Sequence, residues 1–308
     1  MSITQELAAY APDVPTLLTI GVFDGVHVGH LSLLHRLKTE AAARGLMPGV
    51  ITFAPHPAEV LNSATMPALL TSVDERIALL RAAGISLIVL LSFTPELSRL
   101  TAEEFVQPLI TQLAKRGLIL GPDFSLGRNK SGTIDSLQTL GASLGFTVSS
   151  VPPCTLDGKV VSSTAIRATL EDGQVDVAAR MLGRWFSLTG PVTSTSKRGT
   201  GLGFPTANLD IPQGRALPRN GVYATIATIP TGRFGSVTNV GHRPTFGTAE
   251  HMIETHILDF GGHLYGATLT VAFIARLRDE VTFPDSESLK AQISRDLVAA
   301  RNILGELK

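Results

Sequence analysis

Cysteine is nearly missing from this chain. The one thiol, Cys154, leaves no partner for an intrachain disulfide and cannot build a cysteine zinc cluster. A buried, inert thiol in a reducing compartment is the expectation. An excess of either charge is missing too. Lysine plus arginine and aspartate plus glutamate each total 26, so the net charge is zero and no basic field marks a nucleic-acid partner. Long hydrophobic runs are absent: the longest, near Leu87–Leu91, is far too short to span a bilayer. The opening residues, MSITQELAAYAPD, lack the basic region and apolar stretch expected of a secretory leader. No internal repeat or low-complexity tract is present. What remains is 308 residues, 44% hydrophobic and 17% charged, an ordinary soluble balance and enough chain for two domains. A cytoplasmic enzyme fits, with neither nucleic acid nor membrane as a partner. Oligomeric state is not legible.

The densest early signal is Gly21 to His30, GVFDGVHVGH. It follows the apolar run Leu17–Ile20, which reads as a buried strand. It precedes Leu31, Leu33, Leu34 and Leu37, an apolar set at roughly helical spacing. The order is strand, glycine-rich turn, helix. His27 and His30 are three apart and share a helix face. Amides at a helix N-terminus attract anions, and two imidazoles beside them can bind a phosphate.

The next segments alternate. Strands are expected over 49–53, 86–93, 117–124 and 146–151, and helices over 71–83, from Thr101, and over 131–145. Thr101 and Glu104 form a capping box. This alternation argues for an open parallel sheet covered by helices, with ligands beyond the carboxyl ends of its strands. Ser162, Ser163 and Thr164 open a short helix with Arg167 one turn later. Hydroxyls there cap a helix and can also hold phosphate. After a helix over 174–182 the pattern changes. From Phe186 onward short β-runs follow, separated by glycine and proline, at 188–193, 221–229, 235–240, 254–260 and 268–275. That spacing suggests a small antiparallel barrel, closed by a helix over about 285–303. The expected boundary falls near residue 185, giving domains 1–185 and 186–308.

Gly199 to Asn208, GTGLGFPTAN, is the densest motif of the second half. It is no Walker A loop, since no Gly-Lys-Ser/Thr follows, and Pro205 rules out a Rossmann fingerprint. Read from its residues alone it is a structural turn or a source of hard oxygen ligands, Thr206 and Asn208, suited to magnesium.

GVFDGVHVGH resembles the HxGH nucleotidyltransferase signature in the form carried by bacterial bifunctional riboflavin kinase/FMN adenylyltransferases. DFSLG at Asp123–Gly127 resembles that family's DFxFG loop, with Leu126 in place of the aromatic, and SSTAIR its SSTxIR motif. GLGFPTANL resembles the PTAN signature of riboflavin kinase. NGVYA at 220–224, TNVGHRPTF at 238–246, ETHILDF at 254–260 and LYG at 264–266 follow in the family's order. The resemblance implies a Rossmann-like nucleotidyltransferase domain followed by a riboflavin kinase β-barrel with a C-terminal helix. It implies phosphorylation of riboflavin to FMN and adenylylation of FMN to FAD with release of pyrophosphate. ATP and flavins are then the substrates and Mg²⁺ accompanies ATP.

Carried over, Glu254 is the kinase base, and His27 and His30 stabilise charge on the α-phosphate. Gly21, Phe23, Asp24, Gly25, Ser162, Ser163, Thr164, Arg167, Lys197, Arg198, Gly199 and Gly203 contact nucleotide. Asp123, Phe124, Asn239, Arg243 and Phe260 contact flavin, and Thr206 and Asn208 hold the metal. Ahead of PTAN the family's GxxRGRxLG loop is altered, with Thr195 at its first glycine and Thr200 at its second arginine. That departure motivates an alternative, a monofunctional FMN adenylyltransferase with a weakened kinase domain. A flavin-binding regulatory protein is a further alternative.

Overall fold

The structure, a computed structural model, describes residues 2–61, 66–193, 203–243 and 250–306. Contacts divide the chain into two compact units, Met1–Ser163 and Thr164–Lys308.

The first unit runs α1 (Ile3–Ala8), β1 (Thr16–Ile20), α2 (Val28–Ala43), β2 (Met47–Ala54), α3 (Pro57–Leu61), α4 (Val73–Ala82) and β3 (Leu87–Ser92). It continues α5 (Pro95–Arg99), α6 (Ala102–Leu113), β4 (Lys115–Leu120), β5 (Ser125–Leu126), β6 (Gly132–Thr133), α7 (Ile134–Leu144), β7 (Thr147–Ser150), β8 (Thr155–Leu156) and β9 (Lys159–Val160). β5–β6 and β8–β9 are two small hairpins. The main sheet is parallel throughout, in the order β3-β2-β1-β4-β7. Both faces are covered, so β1 is buried at every position. Leu18 and Ile20 pack with Phe105, Leu109 and Leu137 from α6 and α7. Leu17 packs with Leu34 and Leu37 of α2 and Leu80 of α4. The helix starts follow the capping residues: Ser72 with Glu75 and Thr101 with Glu104 each form a full box. Strand order reverses between β1 and β4. In an open parallel sheet the ligand crevice lies outside the strand ends at that reversal.

The second unit begins with α8 (Ser163–Glu171) and α9 (Val175–Leu182). There follow β10 (Ser187–Thr193), β11 (Ala207–Leu209), β12 (Gly221–Ile229), β13 (Gly232–Arg243), β14 (Glu250–Ile257), β15 (Thr268–Arg278) and α10 (Ser286–Gly305). The six strands close into an antiparallel barrel, β10-β11-β14-β13-β12-β15. One face of its strands is largely buried and includes Leu188, Tyr223, Val271 and Phe273. It also carries a chain of hydroxyls: Ser236 and Thr238 each bond Thr225, at 2.7 and 2.8 Å, and Thr238 bonds Thr255 at 3.0 Å. On the other face Val222, Ala224 and Val237 pack under Leu297, Ala300 and Ile303 of α10. The architecture is the expected one, an α/β unit followed by a small barrel with a C-terminal helix. α9 packs on β15 and buries Val175, Ala178 and Leu182 in the second unit, upstream of residue 185. Cys154, expected to be buried, is half-buried.

Candidate active sites

β1 ends at Ile20, where the Gly21 amide still bonds the Ile51 carbonyl at 3.0 Å. The chain then turns through Phe23 at φ 55°, Gly25 at 80° and Val26 at 38°. Side-chain-bearing residues with such angles are strained and persist only where the surroundings hold them. Asp24, 3% exposed, supplies one hold. Its carboxylate accepts from the Leu70 and Thr71 amides, both at 3.0 Å, and from the Thr71 hydroxyl at 3.1 Å. Thr71 Oγ1 in turn accepts the Gly25 amide at 3.0 Å. Buried Arg76 supplies the other, donating at 2.7 Å to the carbonyls of Val22 and Phe53, just past β1 and near the end of β2. Burial lowers its pKa, against a raising influence of the Asp24 charge. Thr71 and Arg76 are absent from the motif reading. Asp24 and Thr71 meet across 47 residues of chain, which no local pattern announces.

His27 caps α2, its Nδ1 accepting the His30 amide at 3.3 Å. A neutral His27 therefore carries its proton on Nε2, where it can donate. The two imidazoles stack, with centroids 3.6 Å apart and planes at 18°, and Phe23 lies 4.9 Å from the His30 ring. A Cβ at Gly29 would stand 3.1 Å from the His27 ring, so glycine lets the helix start pass beneath it. Burial, and secondarily the neighbouring His27, holds the His30 pKa well below the usual histidine value. Its Nδ1 is buried without a hydrogen-bond partner among the described residues. Ser163 Oγ donates to the Asp24 carbonyl at 2.9 Å, which brings Ser162 and Ser163 to the same turn. Thr164 and Arg167 follow on α8 and count with the second unit. Past β4, Asp123 is exposed and Phe124 is half-buried against the core.

In the barrel, Asn208 stands directly opposite Glu254, and Glu254 directly opposite Asn239. Cross-strand partners share a face, with Cβ atoms roughly 5 Å apart. β11, β14 and β13 thus present amide, carboxylate and amide in one row. Asn208 is 6% exposed; Glu254 and Asn239 are half-buried. Asn239 Nδ2 donates to Glu280 Oε1 at 3.3 Å. Two residues ahead of Asn208, Thr206 Oγ1 is buried with no hydrogen-bond partner among the described residues. A neutral oxygen with no partner among the described residues, two positions from the Asn208 amide oxygen, is a hard ligand of the kind magnesium takes with phosphates completing its shell. Gly203, at φ +88°, holds the left-handed turn that leads into this segment. Arg243 ends β13 opposite Glu250. Phe260 packs edge-on against Phe234, ring centroids 5.3 Å apart. Phe234 lies five positions before Asn239, roughly 16 Å along β13, so Phe260 does not join the row. Lys197, Arg198 and Gly199 lie outside the described residues.

Known proteins of this kind define first a class, the two-domain transferases that build flavin nucleotides. The FAD synthetase family matches residues 11–165 and the riboflavin kinase family residues 182–304. The chain belongs to the bifunctional riboflavin kinase/FMN adenylyltransferase family. A member from Pseudomonas fluorescens is 39% identical over 92% of this chain and 91% of its own. Members from Escherichia coli K12 and Bacillus subtilis are 35% and 31% identical, covering 97% and 95% of this chain and 96% and 94% of theirs. A solved structure from Streptococcus pneumoniae, described as a macrolide-efflux protein, superposes with a TM-score of 0.88 at 29% identity, covering 96% of this chain and 97% of that one. Among the described residues no helix is long and apolar enough to cross a membrane. The chain is a bifunctional enzyme with riboflavin kinase and FMN adenylyltransferase activities, and ATP and flavins fit it as small-molecule substrates.

Proposed function

We propose that the two activities divide along the chain, with FMN adenylylation in residues 1–185 and riboflavin phosphorylation in residues 186–308. The observation that carries the kinase assignment is the row Asn208–Glu254–Asn239 beside the Thr206 hydroxyl, which has no hydrogen-bond partner among the described residues. Glu254 accepts the proton of the riboflavin 5′-hydroxyl as that oxygen bonds to the γ-phosphorus of ATP. The bond from the γ-phosphorus to its bridging oxygen breaks and ADP leaves. A carboxylate suits this base role when it reaches the hydroxyl. Thr206 and Asn208 hold Mg²⁺, whose charge offsets that of the phosphates. Lys197, Arg198, Gly199 and Gly203 are assigned to the nucleotide, and Asn239 and Arg243 to flavin; Phe260, packed on Phe234 away from the row, is left out.

In the first half, an FMN phosphate oxygen bonds to the α-phosphorus of ATP and pyrophosphate leaves. His27, donating from Nε2, and His30 stabilise the charge that develops there. The Gly21–Gly25 turn and Ser162–Ser163 bind the phosphates, and Asp123 and Phe124 approach the flavin from the end of β4. Catalysis in both halves is chiefly positioning and charge neutralisation. Both family matches, together spanning most of the chain, weigh against a monofunctional or purely regulatory protein. A cytoplasmic location accords with these water-soluble substrates. Incubation with riboflavin, ATP and Mg²⁺, followed by separation of flavins, tests the reading. FMN appearing first and FAD after it is the expected result, and FAD made only from supplied FMN would restore the monofunctional alternative.

A further inference from the structure

Resting on the reading of Thr206 as a magnesium and phosphate ligand, we propose that His256 is a positioning residue of the kinase site. Its Nδ1 lies 2.8 Å from the Pro205 carbonyl oxygen, and Phe204 meets its ring edge-on at 5.9 Å and 86°. A carbonyl oxygen only accepts, so the hydrogen resides on Nδ1. Pro205 O belongs to the peptide group that leads into Thr206. Fixing that carbonyl fixes the peptide plane from which the Thr206 side chain departs.

The local fold explains why a side chain performs this task. β11 pairs with β14 over only three residues, Ala207–Leu209, against Thr255, Glu254 and Ile253. The next position of β14 is His256, where Thr206 would stand if the ladder continued. Pro205 has no amide hydrogen to extend that ladder. The imidazole donates instead to the Pro205 carbonyl and ties the Phe204–Thr206 segment to the strand. The arrangement leaves Thr206 Oγ1 buried and without a partner among the described residues, so its lone pairs are presented rather than spent on the fold. His256 is two residues from Glu254 on β14, and alternate residues of a strand share a face. One strand therefore carries the proposed base and the clamp on the metal-binding segment.

The test compares His256→Ala, His256→Asn and His256→Gln in the full chain. An asparagine amide can occupy the place of Nδ1, whereas a glutamine amide falls near that of Nε2. Loss of one such hydrogen bond corresponds to about threefold to tenfold in an equilibrium constant. His256→Ala should weaken Mg²⁺–ADP binding in calorimetry by that factor and raise the KM for Mg²⁺–ATP in parallel. The KM for riboflavin and adenylylation of supplied FMN should stay unchanged. His256→Asn should restore most of the affinity and His256→Gln should not. Unchanged Mg²⁺–ADP affinity in His256→Ala, or equal losses in the Asn and Gln variants, would overturn the proposal. If the alanine variant does not fold, the Asn–Gln comparison decides alone. Thr206→Ala separates this inference from the reading beneath it. If Thr206→Ala leaves Mg²⁺–ADP affinity intact, the metal assignment is wrong; if it weakens affinity while His256→Ala does not, only the clamp is.

Discussion

Lys115 is 1% exposed at the head of β4, with its Nζ 2.9 Å from the centroid of the Phe146 ring and no hydrogen-bond partner among the described residues. Burial lowers its pKa to about 7. The unfolded chain keeps the ordinary lysine value near 10.4. Between those values the unfolded state binds the extra proton, so stability rises with pH across that window and is flat below it with respect to this group. Lys115→Met removes the penalty while keeping the length of the side chain. It should raise the Tm at pH 7 and flatten the rise towards pH 10; an unchanged slope would show that Lys115 is not the source. His30 acts at the other end. Its folded pKa lies well below the usual value because burial, and then His27, disfavours the cation. As pH falls below about 6.5 the unfolded chain takes up a proton that the folded chain resists, and stability falls. Thermal scans from pH 8 to pH 5 should show a smaller acid loss for His30→Gln than for the parent, and parallel curves would contradict this.

Among the elements, α10 is held by a specific ion pair. Arg278 on β15 donates from Nε at 3.0 Å and from Nη2 at 2.8 Å to the Asp296 carboxylate, which is 5% exposed and also accepts from Gln292 at 2.8 Å. Removing one partner of a buried pair strands the other charge, so Asp296→Ala should cost about 3 kcal/mol in urea unfolding. A loss under about 0.5 kcal/mol would mean that the pair behaves as a surface contact. α9 offers a second expectation, since it packs its buried residues on β15. Residues 186–308 are expected to fold and bind flavin, roughly the size of an independent domain. A fragment from 164 should unfold at higher urea than one from 186, and equal midpoints would show that α9 adds nothing. These elements also mark how far the sequence could be read. Thr101 announces its helix because capping is local, and β12 coincides with its β-branched run at 221–229. β11 reads as turn chemistry because Gly203, Pro205 and Asn208 favour turns, and only its non-local pairing with β14 makes it a strand. The facing of Glu254 with Asn208 and Asn239 is a matter of register between distant segments; the family resemblance implied that Glu254, Thr206 and Asn208 share one site, but their cross-strand pairing was not legible. The brace of Asp24 by Thr71, and the packing of α9 with the barrel, were hidden for the same reason.

On the scale of the whole molecule, the two proposed chemistries are assigned to two motif sets distant in sequence. His27 and His30 sit at the helix that follows β1, whereas Glu254 sits on β14 of the barrel. The proposed roles require the two activities to be lost independently. Losing a preorganised donor to developing charge costs on the order of 10²–10³ in turnover. As the proposed base, Glu254 would act in the transition state, so its removal should lower kcat and leave riboflavin and ATP affinity nearly unchanged. The most direct measurement follows FMN and FAD together, by chromatography, for His30→Ala and Glu254→Gln supplied with riboflavin or with FMN. His30→Ala should convert riboflavin to FMN at the parent rate and stop there, and Glu254→Gln should make FAD from FMN while leaving riboflavin untouched. Loss of both activities in either folded variant, or the reverse pattern, would contradict the division of labour proposed here.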